Sequence, residues 1–312
     1  ACLEITTGAV MPKGCDCVIP VEYVDLDGRV AKVRDEFQTR PGVNVHRKGS
    51  DARKGDILLR AGCRLSTARI AVAAAVGKSR ILVSKTPAIA LVGTGDELVE
   101  IDQPVKPFET RRSNTCALAA GLALNGYTDT RRFHIRDDQK KLRAGLKKIL
   151  RKYDVVILSG GVSMGKLDFV PRILEELGVT VLFHKVRQRP GGPLLFGKTA
   201  DGKPVFGLPG NPVSTQICLY RYVLPYLDQS SCLDTTVVEF AVLDEDVKVE
   251  MPLTCFLPVK IAYHPAGRLA ASPVHTHGSG DYASLAKSDG FVELKKDAYR
   301  FPKGSVSRLY RW

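Results

Sequence analysis

The chain has 312 residues, of which 44% are hydrophobic and 25% charged, a composition ordinary for a globular protein and long enough for two or three domains. No apolar run approaches the roughly 18 residues that a membrane-spanning helix needs, so we expect no membrane insertion. The formal net charge of +13 suits an acidic partner such as a phosphate or an oxyanion. Because the basic residues are spread along the chain without an aromatic-studded basic run, we expect a diffusely basic surface and no nucleic-acid partner.

The cysteine pattern bears on the cellular compartment. Eight cysteines are scattered along the chain, and the close pair Cys15 and Cys17 has no second pair at zinc-binding spacing. This usage favours reduced thiols in a cytoplasmic protein. The sequence begins at Ala1 rather than at a methionine, and no signal region precedes the fold, which suggests a trimmed start with upstream sequence missing.

Residues 1–86 have the pattern of short strands and turns. Two brief runs, 18–21 and 30–33, are apolar or alternating and are separated by Asp-Gly and Pro-Gly turn signals. Ser66 resembles the N-cap of a helix over 67–76 that Gly77 ends. This part is predicted to be a β-rich N-terminal lobe and linker region.

Residues 87–228 alternate apolar strands with helices. The predicted strands are 88–92, 133–135, 155–158, 179–183 and 205–208, and the predicted helices are 115–124, 138–151, 169–177 and 212–226. Uninterrupted apolar strands between helices predict a mostly parallel sheet covered on both faces, hence a central three-layer α/β domain. Strand patterns return at 237–242, 256–261 and 291–294, so residues 229–312 should form a small β domain.

Polar clusters follow the apolar strands of the central domain. They comprise residues 93–97, 136–138, 159–161 and 207–212. The carboxyl ends of parallel strands meet at one edge of a sheet, where glycine amides and helix N-termini favour an anion. Glu97, Asp137 and Asp168 would then surround the crevice, as Mg²⁺ and a phosphoanhydride require. Each cluster alone is also typical of a turn or a helix cap, but their shared position favours a site.

Three further features leave alternatives open. The basic loop 185–193 could clamp an oxyanion through Lys185 and Arg189, or it could be a solvated charge run with a proline-stiffened turn. His275 and His277 would lie on one face of a strand, but without a supporting carboxylate or thiol they are better interpreted as surface histidines. Cys218, in the last predicted helix of the central domain, is predicted to be core packing.

Taken in order, these segments resemble the molybdopterin molybdotransferase family (molybdenum insertases), which includes the C-terminal domain of gephyrin. The resemblance covers nearly the whole chain, and the combination of Ser-Gly-Gly with Leu-Pro-Gly-Asn-Pro is its most specific part. The matching segments are Ile-Thr-Thr-Gly-Ala at 5–9, Arg-Lys-Gly-Ser-Asp at 47–51, Thr-Gly-Asp-Glu-Leu at 94–98, Arg-Asp-Asp at 136–138, Ser-Gly-Gly-Val-Ser-Met-Gly at 159–165, Leu-Pro-Gly-Asn-Pro-Val-Ser at 208–214 and His-Gly-Ser-Gly at 277–280.

The resemblance implies an elongated homodimer whose cleft lies between the α/β domain of one subunit and the other subunit. It implies adenylylated molybdopterin and molybdate as substrates, with metal insertion and Mg²⁺-dependent release of AMP. Glu97, Asp137 and Asp168 are expected to bind the metal ion and to act in catalysis, while the Ser-Gly-Gly loop holds the pterin-phosphate. The substrate-binding residues expected from the matching motifs and the basic loop are Thr7, Asp51, Thr94, Gly95, Ser113, Asn114, Ser159, Gly160, Gly161, Ser163, Lys185, Arg189, Pro209, Asn211, Pro212 and Ser279.

The chain departs from the family pattern at several places. An upstream Asp-Gly-Tyr-Ala-type motif is absent from this sequence, Arg112 stands where an aspartate is usual, and Gly192 replaces a lysine of the Lys-Pro-Gly-Lys-Pro loop. The arginine often found near the Phe-Leu-Pro-Val stretch is not evident, although Lys260 is nearby. These losses would suit a catalytically impaired pterin-binding or scaffold homologue, whereas the three retained carboxylates favour an enzyme. A pterin-binding adenylyltransferase would share the α/β domain, but the extra lobes argue against it.

Overall fold

The N-terminal part contains little regular structure. The computed structural model describes residues 2–162, 169–233 and 238–312. Strands β1 (Val24–Asp27) and β2 (Val30–Val33) form an antiparallel hairpin. Helix α1 (Thr67–Ala75) begins as predicted, because the Ser66 side chain accepts a hydrogen bond from the Arg69 amide.

One predicted strand of this part differs from the structure. The run 18–21 joins the rest of the chain through the Val18 amide, which donates to the Val43 carbonyl at 3.0 Å, and Val21 already starts a short 3₁₀ turn, Val21–Tyr23. Val21 is exposed, and residues 18–21 pair with no other strand. The β structure described before residue 87 is therefore limited to the β1–β2 hairpin.

The central domain alternates strands and helices. In chain order they are β3 (Ile89–Thr94), β4 (Leu98–Val99), β5 (Thr110–Arg111), α2 (Ser113–Leu124), β6 (Thr130–Ile135), α3 (Gln139–Lys152), β7 (Val155–Ser159), α4 (Val170–Glu176), β8 (Thr180–His184), β9 (Gln188–Arg189), β10 (Leu195–Lys198), β11 (Pro204–Leu208), α5 (Pro212–Cys218) and α6 (Leu224–Ser230). A π-helical turn, Leu219–Val223, joins α5 to α6. The single helix predicted over 212–226 is thus interrupted, and it ends later, at Ser230.

The main sheet is mixed but mostly parallel, as predicted. Its strand order is β6-β3-β7-β11-β10-β8, in which β6, β3, β7 and β11 pair in parallel and β10 is antiparallel to both neighbours. Alternate residues of β3 enter two different cores. Ile89 and Leu91 pack with α2, α5 and α6, whereas Ala90 and Val92 pack with α3 and α4. Helices therefore cover both faces of the sheet, which makes the domain three-layered.

The C-terminal part is a small β domain. It contains β12 (Glu239–Leu243), β13 (Val247–Lys248), β14 (Thr254–His264), β15 (Arg268–Pro273), α7 (Tyr282–Leu285), β16 (Gly290–Leu294), β17 (Arg300–Phe301) and β18 (Val306–Arg311). The strand order is β15-β12-β18-β16-β14, and β14 also pairs with β15, so the five strands close into a ring. The interior is apolar and includes Val259, Val292 and Leu309.

The α/β domain contributes one strand to the neighbouring sheet. Strand β9 pairs in parallel with β14, with Gln188 opposite Thr254 and Arg189 opposite Cys255. The sequence predicted a basic loop without a strand here, because two residues carry too little periodicity to mark a strand. The basic loop is therefore attached to both domains.

Two general properties complete the description of the fold. Within residues 2–162, 169–233 and 238–312, no helix is both long and apolar enough to cross a membrane. All eight cysteines are free thiols. Cys218 is fully buried, as predicted, and its burial raises the pKa of the thiol to about 12.

Candidate active-site cleft

The parallel register places the ends of four strands side by side. Thr94 at the end of β3 lies opposite Ile135 at the end of β6, and Ser159 at the end of β7 lies opposite Gly93 and Leu208. The polar segments that follow these strands therefore begin at one edge of the sheet.

This edge faces the C-terminal β domain across an open cleft of about 1040 Å³. The wall contributed by the β domain includes Lys248, Glu250, Met251 and Cys255. Ten of the residues predicted from the sequence line the cleft: Thr94, Gly95, Glu97, Asp137, Gly160, Gly161, Arg189, Pro209, Asn211 and Ser279.

Other predicted site residues do not line it. Thr7 and Asp51 are exposed in the N-terminal part, where the Asp51 carboxylate lies 3.0 Å from the His46 ring. Lys185 is not part of the lining, so of the predicted clamp only Arg189 reaches the cleft. Ser113 and Pro212 are the first residues of α2 and α5 and also lie outside the lining. Ser163 and Asp168 lie outside the described residues, and their roles stay predictions.

Asn114 supports the cleft from behind. Its side-chain nitrogen donates to the Ser159 hydroxyl at 3.0 Å and to the Gly210 carbonyl at 2.7 Å. These bonds tie the first turn of α2 to the ends of β7 and β11. In this structure Asn114 and Ser159 therefore hold two cleft loops together rather than line the cleft.

Arg112, the residue before this helix, pairs with the Glu100 carboxylate. The hydrogen bond from Arg112 lowers the pKa of Glu100 below its ordinary value. A cation at a helix N-terminus opposes the helix dipole, and the nearby carboxylate offsets it. The positive charge that Arg112 introduces in place of the usual aspartate is thus paired locally with Glu100.

Two glycines let the loop after β7 lie on the end of β3. A Cβ atom on Gly160 would stand 2.7 Å from the Thr94 carbonyl oxygen, and one on Gly161 would stand 2.7 Å from Thr94 Oγ1. Both glycines also have positive φ angles, 96° and 65°. Close packing of the chain on itself therefore already requires glycine at these positions.

Thr94 and Gly210 have features that packing leaves unexplained. Thr94 is 2% exposed, and its hydroxyl has no hydrogen-bond partner within the described part of the chain. A Cβ on Gly210 would meet one atom within 4 Å, the Cα of Gly160 at 3.7 Å, which is ordinary contact. The hydrogen-bonding capacity of the Thr94 hydroxyl is therefore left unused by the described residues, and Gly210 has open space on its side of the cleft.

The acidic residues of the cleft have different surroundings. The Glu97 carboxylate folds back over the Cα of Gly95, in the space that a side chain there would fill. The Gly95 carbonyl accepts a hydrogen bond from the His134 ring at 2.9 Å, which fixes this loop from behind. Asp137 lines the cleft, and its amide donates to the Asp96 carboxylate at 3.3 Å.

The adjacent aspartate has a structural role. Asp138 is the N-cap of α3, where its carboxylate accepts a hydrogen bond from the Lys141 amide at 2.8 Å. The Arg-Asp-Asp cluster thus combines one cleft residue with one helix cap.

The opposite wall places a thiol beside the one cation of the basic loop that reaches the cleft. Cys255 on β14 is paired in register with Arg189. Burial raises the pKa of the Cys255 thiol, and the Arg189 charge opposes that shift. No sequence pattern marks this wall, because residues 247–255 match no motif and their place in the cleft depends on how the two domains meet.

This geometry is typical of α/β proteins that bind an anionic ligand together with a cation. An α/β domain presents a glycine-rich loop, carboxylates and an arginine at its strand ends, and a β domain covers them. Such a cleft suits an anionic ligand and a hard cation.

Three family models match the N-terminal, central and C-terminal parts of the chain. Residues 90–229 match the family model described as a probable molybdopterin binding domain, residues 1–77 match the MoeA N-terminal region (domain I and II), and residues 241–309 match the MoeA C-terminal region (domain IV). A molybdopterin molybdenumtransferase of Synechocystis is 38% identical over 312 residues, which cover 100% of this chain and 77% of that protein. One of Bacillus subtilis is 33% identical over 98% of this chain and 72% of its own length.

A solved structure extends the agreement to the fold. The molybdopterin biosynthesis MoeA protein of Pyrococcus horikoshii matches with a TM-score of 0.72 and 31% identity, covering 98% of this chain and 74% of that one. The chain belongs to the molybdopterin molybdenumtransferase family. It is accordingly a transferase of molybdenum cofactor biosynthesis.

Proposed function

We propose that this chain inserts molybdate into adenylylated molybdopterin and releases AMP from it. The observation that carries the proposal is the shared cleft of Glu97, Asp137 and Arg189 with the unpartnered Thr94 hydroxyl. Carboxylates have no use in a site that only holds an anion, since they repel it unless a cation lies between. The mixture of both signs therefore supports chemistry on a phosphoanhydride rather than storage of the ligand alone.

The glycine-rich loop and the loop after β11 are the proposed seat of the anionic part of the substrate. Gly160, Gly161 and Gly210 bring backbone close to the ligand, and Thr94 can donate a hydrogen bond to it. Arg189 supplies a planar, always charged donor for a phosphate or molybdate oxygen. Water attack on the anhydride then separates AMP from the pterin, which keeps a phosphate group.

The acidic residues fit the proposed Mg²⁺. Glu97 and Asp137 both line the cleft, and Mg²⁺ in phosphate-processing sites is held by one or two carboxylates together with substrate oxygens and water. Among residues 2–162, 169–233 and 238–312, no group of three His, Cys, Asp or Glu side chains could hold a metal by itself. The proposed site therefore relies on the substrate for further ligands, and Asp168 is the third candidate. Bound Mg²⁺ would neutralise charge on the leaving phosphate.

A homodimer completes the proposal. Thr7 and Asp51 belong to motifs shared with the family but do not line the cleft of their own chain, so we propose that they act at the cleft of the other subunit. Helix α1 supports such an assembly, because its apolar residues Ile70 and Val72 are 53% and 37% exposed. The eight free thiols support the proposed cytoplasmic location.

The test follows AMP and molybdate together. Purified protein is supplied with adenylylated molybdopterin, molybdate and Mg²⁺, and AMP and pterin-bound molybdenum are both measured. We expect molybdate-dependent AMP release in the wild type and a loss of about a hundredfold in Glu97→Gln. Binding of the pterin without AMP release by the wild type would instead favour the scaffold-like alternative.

A further inference from the structure

The basic loop contacts both domains through backbone hydrogen bonds. Its residues 188 and 189 pair with β14 of the β domain, while the amides of Lys185 and Val186 donate to Leu194 and Gly192 at 2.8 Å each. Of the charged residues of this loop, Arg189 is the one that lines the cleft. Whatever fixes the loop therefore also fixes that charge.

Gln188 is the buried polar residue next to Arg189. It is 5% exposed, and both ends of its amide are used. The amide nitrogen donates to the Pro190 carbonyl at 3.1 Å, and the amide oxygen accepts from the Tyr222 hydroxyl. A carbonyl can only accept, so the amide has one orientation that satisfies both partners.

Tyr222 is a fixed anchor for this amide. Burial raises the pKa of Tyr222 to about 12, so the hydroxyl keeps its proton and donates. The Arg221 guanidinium lies 5.1 Å from the Tyr222 ring centroid, and its Nε is 3.1 Å from the Glu293 carboxylate, a charge contact without hydrogen-bond geometry. Glu293 also accepts a hydrogen bond of 2.7 Å from Tyr310 of the β domain. The anchor thus connects the π-helical turn to strands β16 and β18 of the β domain.

The loop lies directly on the Gln188 amide. Gly191 has a φ of 89°, and a Cβ there would stand 2.7 Å from the Gln188 amide nitrogen and 3.0 Å from Cys218 Sγ. The Gln188 amide therefore also contacts Gly191, two residues after Arg189. Loss of its hydrogen bonds leaves the half-buried Pro190 carbonyl and the Tyr222 hydroxyl without these partners, which favours a rearranged loop.

We infer that Gln188, held by Tyr222, is a positioning residue that fixes the Arg189 guanidinium in the cleft for binding of the anionic substrate. This rests on the proposed function, in which Arg189 binds a phosphate or molybdate oxygen. Gln188 does not need to touch the substrate for this role. Its effect is to keep Arg189 organised before binding, which reduces the entropy lost on binding.

The experiment titrates molybdate into the full-length protein by calorimetry, with sulfate as the non-substrate oxyanion. The variants are Arg189→Ala, Gln188→Met, which keeps the length without the hydrogen bonds, and Tyr222→Phe. Tyr226→Phe is the matched control, since the Tyr226 hydroxyl makes no hydrogen bond within the described residues and its ring packs on Phe196 and Phe206. Melting curves show which variants are folded.

Wild type should bind molybdate, and Arg189→Ala should lose roughly 10- to 100-fold in affinity, the scale of a charge-assisted hydrogen bond. Gln188→Met should lose roughly 5- to 30-fold and Tyr222→Phe roughly 3- to 10-fold. The double variant Gln188→Met with Tyr222→Phe should lose less molybdate affinity than the product of the two single losses. Both residues act on Arg189 through the same hydrogen bond. In AMP release, the KM for molybdate should rise more than kcat falls.

Gln188→Glu provides a rescue that a purely structural role would not show. A neutral carboxylic acid can donate one hydrogen bond to Pro190 and accept one from Tyr222, as the amide does, whereas a carboxylate cannot donate to Pro190. Burial raises a carboxyl pKa, so the acid form is favoured at lower pH. Relative to wild type at the same pH, molybdate affinity should be near normal at about pH 6 and should fall towards about pH 8.

The outcomes separate the two claims. Weaker binding in Arg189→Ala together with wild-type binding in folded Gln188→Met and in Tyr222→Phe overturns the positioning role and leaves the proposed function intact. Wild-type binding in Arg189→Ala removes the anion clamp from the proposed function, and the inference with it. If Gln188→Met does not fold, Tyr222→Phe decides, because it removes one hydroxyl without adding an atom.

Discussion

The Asn211 side chain donates a hydrogen bond of 2.6 Å to the Ser279 hydroxyl, which joins the loop after β11 to the tail segment of the β domain. The Val213 amide reinforces the contact by donating to the Ser279 carbonyl at 3.2 Å. Asn211 and Ser279 both line the cleft. Two motifs separated by 68 residues therefore form one contact that sets the width of the cleft at this point.

Loss of this contact should affect the substrate more than the fold. Ser279→Ala removes the hydroxyl acceptor and Asn211→Ala removes the donor, and each should raise the KM for the pterin substrate roughly 3- to 10-fold, the scale of one hydrogen bond. A double-mutant cycle on KM and on the melting temperature checks the pair. Strictly additive effects on KM would show that the two residues act separately.

The sequence predicted the central fold well because its signal was local. Several predicted strands of the α/β domain were continuous apolar runs, and β3 has that pattern because both faces of Ile89–Thr94 are covered. The pattern could not show the π-helical turn Leu219–Val223, since its residues are as helix-compatible as their neighbours. Nor could it show the closed ring of the β domain, which depends on the pairing of β14 with β15.

Gly210→Ala and Gly161→Ala should separate ligand contact from packing. A Cβ on Gly210 meets only ordinary contact, so Gly210→Ala should keep or slightly raise the melting temperature while it weakens pterin-substrate binding roughly tenfold. A Cβ on Gly161 would lie 2.8 Å from Val170 Cγ2 as well as against Thr94, so Gly161→Ala should lower the melting temperature. Unchanged substrate binding in Gly210→Ala would show that this side of the cleft stays free of ligand.

The candidate site was predictable to the level of motifs, but individual roles were not. Asp137 and Asp138 are adjacent and chemically identical, and only the structure shows that the first lines the cleft and the second caps α3. The predicted pair Lys185 and Arg189 separates in a similar way, since only Arg189 reaches the cleft. Side-chain direction in a loop depends on backbone angles such as the positive φ of Lys185, 86°, which composition does not encode.

Restoration of the family lysine should strengthen oxyanion binding. A Cβ on Gly192 would lie 3.2 Å from the Gln188 carbonyl oxygen, so Gly192→Lys requires a small shift. With a second cation beside Arg189, molybdate affinity should rise roughly 3- to 10-fold and should decrease more steeply with salt. Gly192→Met controls for the added length without charge. Equal affinities of the two variants would show that the lysine charge does not reach the anion.

The ion pair of Glu239 with Arg311 should make stability depend on pH. The hydrogen bond from Arg311 lowers the pKa of Glu239, so the folded state binds this proton less readily than the unfolded chain does. The contribution is therefore fully present above the ordinary carboxyl pKa of about 4.3 and is lost as pH falls through the lower folded value.

Glu239→Gln should accordingly lower the melting temperature at neutral pH, by less than the equivalent of about 1 kcal/mol because the pair is partly exposed. The difference from wild type should shrink as pH falls below the ordinary carboxyl value and should vanish once Glu239 is protonated in the folded state. Glu245→Gln is the control, since Glu245 forms no ion pair with any residue that the structure describes. A difference that persists undiminished in acid would contradict the electrostatic origin.

Asp137 and Asp138 offer the sharpest test of the proposed chemistry, because each is the natural control for the other. Asp137→Asn keeps the size and removes a charge from the cleft, so AMP release should fall about a hundredfold or more. Asp138→Asn should leave AMP release and the melting temperature unchanged, since asparagine caps a helix about as well as aspartate, whereas Asp138→Ala should cost about 1 kcal/mol of stability and leave turnover intact. Turnover and melting curves for the three variants, at saturating Mg²⁺ and molybdate, are sufficient. Wild-type turnover in Asp137→Asn would exclude this carboxylate from catalysis, because the backbone contact of residue 137 to Asp96 is preserved in that variant.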